Sequence, residues 1–86
     1  MLMRHLLVRL PDRPGSLGQV TTLLGRLGVD IRQMRVLDRD GVCATDEFSV
    51  ALPGGVIDRT LPALLEEVEG VRVLAMDAAA DPIAAR

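Results

Sequence analysis

The residues of this 86-residue chain that could do chemistry are few, and their spacing sorts them. The densest group is Leu10-Pro11-Asp12-Arg13-Pro14-Gly15-Ser16-Leu17-Gly18-Gln19-Val20, where an extended segment hands over to a helical one. Ser16 followed three residues later by Gln19 reads as a capping box that opens the helix. Helix starts carry unpaired backbone N–H groups and partial positive charge, so this junction can seat a small anion such as a carboxylate. His5 is the only histidine and Cys43 the only cysteine, on different expected strands. Neither a nucleophile with its base nor a metal site follows from that spacing. His5 reads as an ordinary strand residue and Cys43 as a small packed side chain. Asp38, Asp40, Asp46 and Glu47 surround a turn and read as a solvated hairpin, and Glu66, Glu67 and Glu69 as the wet face of a helix. Gly15-x-x-Gly18 and Gly25-x-x-Gly28 do not satisfy G-x-G-x-x-G, and a chain without Lys has no Walker pattern. No enzyme activity, cofactor or metal is therefore expected.

The elements that must position these residues follow from hydrophobic periodicity. Leu2 to Leu10 alternates, with Leu6, Val8 and Leu10 on one face and His5, Leu7 and Arg9 on the other. Leu17, Val20, Leu24 and Leu27 recur at helical spacing from Ser16 to Leu27, and Gly28 is placed as the stop. Asp30 to Asp38 reads as a second strand, and the parity slip between Ile31 and Met34 predicts a bulge. Arg39-Asp40-Gly41 is a hairpin turn. Val42 to Leu52 then alternates, with Asp46 as the exception. A second helix is expected from near Asp58 or Thr60, with Pro62 in its first turn and Gly70 at its end. Val71 to Met76 is the last strand. Residues 1–77 form one domain and 78–86 a tail.

The order β-α-β-β-α-β, with right-handed crossovers, gives an α+β ferredoxin-like sandwich: a four-stranded antiparallel sheet with two helices on one face. The far face would carry Leu7, Ile31 and Leu37 beside His5 and Arg9. Aliphatic residues among charges predict self-association there or along a strand edge.

Composition narrows the partners. Apolar residues make up 49% of the chain but Phe48 is the only aromatic, so a core of this size is built from aliphatic side chains and is marginal alone. The net charge is −2, all ten basic residues are Arg, and no two are adjacent. Nucleic acid and anionic membranes, which need concentrated positive charge, are disfavoured. A base-stacking RNA domain of this strand order would need exposed aromatics, and an acylphosphatase an Asn, which the chain lacks. No apolar run approaches the roughly 18 residues of a membrane span, and the N-terminus lacks a signal-peptide core. A cytoplasmic location is expected, and the lone Cys43 is compatible with it.

The loop just described, followed by Leu27-Gly28-Val29-Asp30-Ile31, resembles the ACT domain, as does Ala44-Thr45-Asp46-Glu47-Phe48-Ser49-Val50. The resemblance covers roughly residues 4 to 77. It implies a non-catalytic sensor for an amino acid or similar small metabolite, a homo-oligomer, dimer or larger, paired through the second strand. The ligand would lie between copies, with a metabolic enzyme or regulator as partner. Carried onto this sequence, the binding residues are Asp12, Arg13, Pro14, Gly15, Ser16 and Leu17 from one copy, with Asp30 and Ile31 from the other. Loop amides around Gly15 to Leu17 would hold a carboxylate while Asp12 or Asp30 takes an ammonium group. A structural pairing module without a ligand is the alternative.

Overall fold

The computed structural model describes residues 1–78. Its elements are β1 (Leu2–Pro11), α1 (Ser16–Arg26), β2 (Asp30–Arg39), β3 (Cys43–Leu52), α2 (Gly55–Glu66) and β4 (Arg72–Ala78). This is the expected order. The strands form one sheet in the spatial order β2-β3-β1-β4, every neighbouring pair antiparallel. The expected tail, apart from Ala78 at the end of β4, lies outside the described residues.

Residues directly opposite in an antiparallel ladder share a face. Leu6 of β1 stands opposite Phe48 of β3, Val8 opposite Asp46, and Leu10 opposite Ala44. These positions turn toward the helices and meet Val20 and Leu24 of α1 and Leu61 and Leu65 of α2 in one buried cluster. Each such aliphatic side chain contributes about 1.5–3 kcal/mol when fully buried. The core is therefore the single layer between sheet and helices, with Phe48 its largest member.

Helix α1 ends as its sequence predicts. Gly28 takes φ 76°, the Val29 N–H bonds the Leu24 carbonyl at 2.9 Å, and the Gly28 N–H bonds that of Gly25 at 3.1 Å. That pair of bonds is a Schellman closure, which needs a residue comfortable at positive φ.

Three expectations are corrected. Helix α2 starts at Gly55, several residues early, because its core-facing stripe begins at Ile57 and continues through Leu61 and Leu65. A bidentate pair from Arg4 to Asp58, at 2.7 and 3.0 Å, holds its first turn to β1. Pro62 is consequently in the helix interior and not in its first turn, so no N–H reaches back to the Asp58 carbonyl. The β2 bulge is present between Ile31 and Gln33, and a second lies between Val36 and Asp38. The first bulge places Ile31 opposite Val50, on the helix side of the sheet and not on the far face. Leu37 is the extra residue of the second bulge and is exposed.

Candidate functional site

The loop between β1 and α1 is fixed by backbone bonds before any ligand is considered. The Asp12 N–H bonds the Val42 carbonyl at 3.0 Å, the Arg13 N–H that of Pro11 at 3.0 Å, and the Ser16 N–H that of Arg13 at 3.3 Å. Side chains add a second tether. Asp12 Oδ1 accepts from Arg39 Nε at 3.1 Å and Nη2 at 2.9 Å, and Oδ2 accepts from the Gly41 N–H at 3.2 Å. Asp40 closes the adjoining hairpin: its Oδ1 accepts from the N–H groups of Val42 and Cys43 at 2.8 and 2.7 Å. Those two bonds hold its carboxyl below the ordinary range, Cys43 contributing most. The loop and the β2–β3 turn are thus one stapled unit.

Helix α1 opens differently from the expected capping box. Gly15, at φ 88°, occupies the N-cap with no side-chain cap, and Ser16 is the first helical residue, buried at 5% exposure. An L-residue at position 15 would meet the strain of the left-handed region, which is why glycine suits it. The Ser16 N–H is already used, whereas those of Leu17 and Gly18 make no backbone bond among the described residues.

Beside this loop lies a cavity of about 200 Å³, lined by Leu10, Pro11, Asp12, Arg13, Ser16, Leu17, Val36, Arg39, Ala44 and Asp46. The structure therefore brings Asp12, Arg13, Ser16 and Leu17 of the expected site together. Pro14 and Gly15 shape the loop but do not line the cavity. Asp30 and Ile31 stand at the other end of the sheet, paired with Ala51 and Val50, while the loop follows Pro11, which pairs with Cys43. Within one copy they do not reach it.

Asp46 is the residue that sequence reasoning misplaced. It is no part of a solvated turn: it lies on the helix side of β3 at 3% exposure, between Val8 of β1 and Val36 of β2. Its Oδ1 has no hydrogen-bond partner among the described residues. Burial pushes its carboxyl above the ordinary range; the Arg39 charge pulls against this and the Asp12 charge adds to it. The signal was its interruption of an otherwise apolar alternation. Arg39, Val36 and Ala44 were also missed, and only the pairing of β2 with β3 gathers them beside the loop.

The opposite sheet face carries a different arrangement. Glu47 takes two bonds on Oε1 from Arg35, at 3.0 and 2.7 Å, and its Oε2 lies 3.2 Å from His5 Nε2. Arg35 chiefly, then His5, holds its carboxyl below the ordinary range. A wider groove of about 700 Å³ runs along the helix layer past Arg13, Gln19, Arg26, Leu64 and Glu67. Its charged side chains are exposed and no unpartnered buried polar atom faces it among the described residues, so the smaller cavity is the better site. Among the described residues no group of His, Cys, Asp and Glu is placed to hold a metal.

The ACT domain family model matches residues 4–72. Comparison with curated proteins gives no match. Among solved structures, an unknown protein from Galdieria sulphuraria superposes with a TM-score of 0.74 at 16% identity, over 93% of this chain and 46% of that one. An ACT domain protein from Streptococcus pneumoniae gives 0.67 at 16% identity, covering 91% and 90% of the two chains. A putative glycine cleavage system transcriptional repressor gives 0.65 at 23% identity, covering 94% and 48%. The chain thus spans less than half the length of two of these and nearly all of the third.

Proposed function

This chain belongs to the ACT domain family, and from that premise we propose that it is a regulatory module binding an amino acid or similar small metabolite beside the β1–α1 loop. The observation that carries this reading is the cavity at that loop, whose walls hold both signs of charge, Arg13 and Arg39 against Asp12 and Asp46. A free amino acid carries both signs on one carbon, and such a wall complements it. The loop is tethered through Asp12, Arg39 and Gly41 before a ligand arrives, which lowers the ordering cost of binding.

The ligand lies where copies of the chain meet. β2 pairs only with β3 among the described residues, and Val36 and Leu37 leave it half-exposed to water. Two β2 strands related by a two-fold axis would run antiparallel, bringing Asp30 of a second copy toward the Arg39 end of the first, where the cavity is. Binding would then bias association, or engagement of a partner enzyme or regulator. The same exposed edge favours the second reading, a pairing module without a ligand.

Thermal-shift titration against the common amino acids separates the two. A ligand at 100 times its Kd adds about 2.7 kcal/mol, which raises the Tm of a domain this size by about 10 °C or more. Flat curves across the whole panel would remove the sensor reading and leave the pairing module.

A further inference from the structure

We infer that Asp46 receives the cationic group of the ligand, and that the site selects short α-amino acids over acids of the same size without the amine. The inference rests on the binding role proposed above and deepens it. Three observations converge on this residue. Asp46 lines the cavity, it is 97% buried, and its Oδ1 is unpartnered among the described residues. Its alternating neighbours on β3, Ala44, Phe48, Val50 and Leu52, are all apolar. A carboxylate therefore stands where the alternation of the strand calls for a hydrocarbon, and buried polar groups without partners destabilise a fold.

The other carboxylate in the cavity is unavailable. Both oxygens of Asp12 already accept hydrogen bonds, from Arg39 and from the Gly41 N–H. Arg39 in turn is drawn to Asp12, and its guanidinium makes no hydrogen bond to Asp46. Asp46 is thus the carboxylate of the cavity wall that still has an oxygen without a partner among the described residues. Arg13 and Arg39 on the same wall supply the positive counterpart for the ligand's carboxylate.

The part of the site that one copy supplies is small. A cavity of about 200 Å³ is smaller than the roughly 300–1,000 Å³ of drug-sized sites. Glycine, alanine and serine are the smallest free amino acids, and the apolar part of the wall, Leu10, Leu17, Val36 and Ala44, suits a methyl or methylene.

The test is calorimetric titration of the full chain with glycine, L-alanine and L-serine, beside propionate and L-lactate as amine-free counterparts of alanine. Wild type is expected to bind at least one of the three amino acids, and to bind the amine-free acids at least about tenfold more weakly. Asp46→Asn keeps the shape and removes the charge, and should lose at least about tenfold in amino-acid affinity while the preference over propionate collapses. Circular dichroism reports whether that variant folds, and the wild-type amine comparison stands without it. Equal binding of alanine and propionate by wild type, or an undiminished preference in Asp46→Asn, overturns the inference while the sensor reading survives. Binding of none of the three by wild type overturns the inference, and flat curves across the whole thermal-shift panel overturn the sensor reading with it.

Discussion

Asp46 and Glu47 are consecutive residues of β3, and because side chains alternate along a strand they face opposite sides of one sheet. Glu47 lies on the uncovered side, where Arg35 and His5 reach it and water screens all three; its carboxyl is held below the ordinary range. Asp46 lies under the helix layer, its Oδ1 has no partner among the described residues, and burial pushes its carboxyl the other way. The same chemical group one residue apart is thus satisfied on one side and left wanting on the other. Polar groups that reach their partners on a wet surface are ordinary. A polar group enclosed under the helix layer with an unpartnered oxygen costs the fold stability, and that separates a candidate site from a surface.

The contrast between the faces can be broken most forcefully at the next pair of residues. Phe48→Ala empties the largest buried side chain and should destabilise by about 3–5 kcal/mol in urea denaturation. Ser49→Ala, on the uncovered face, should change stability by no more than about 0.5 kcal/mol. Comparable losses at both positions would mean that the faces are not distinct.

Asp46→Val restores the apolar alternation and should stabilise the ligand-free protein by about 1–3 kcal/mol, by removing an unsatisfied buried group. The pH dependence fixes the sign. Asp46 holds its proton more tightly folded than unfolded, so wild type loses stability as pH rises from the ordinary 3.8 through the raised value. The advantage of Asp46→Val should therefore grow across that window and level off above it, measured as the difference between denaturation curves. Arg39 and Asp12, whose charges act on Asp46, remain in both proteins. An Asp46→Val protein less stable than wild type at neutral pH would show that the carboxylate is satisfied after all.

The smallest effect is expected on the wet side. Glu47→Gln should lower the Tm by no more than about 8 °C, because Arg35 is exposed and its pairing is screened. The sign with pH is opposite to that of Asp46. The contribution of Glu47 is present above its ordinary 4.5 and disappears as pH falls through its lowered value. The Tm difference between Glu47→Gln and wild type should accordingly vanish in acid.

What could be read from residues alone divides along the same line. Local periodicity located α1 to within a residue and the first β2 bulge from the slip between Ile31 and Met34. It placed α2 too late because Gly54 and Gly55 look like loop, while the helix is held by Ile57 on the core and by Arg4, which is 54 residues from Asp58 in the chain. The loop 12–17 was legible as the handover from β1 to α1, but the occupation of Asp12 was not, since Arg39 reaches it across 27 residues. Asp46 was visible as an exception and was assigned to the nearby turn. Only the pairing of Val8 and Val36 on either side shows that it is enclosed.

The two irregularities of β2 carry a consequence for assembly. A uniform strand edge lets a newcomer slide by two residues and still find donors and acceptors, which is how sheets stick together indiscriminately. This edge is notched near Arg32 and again near Leu37, so a slid neighbour would find its ladder broken at two places. A companion strand docking here would meet a keyed rail that fits one alignment and disfavours stray strands.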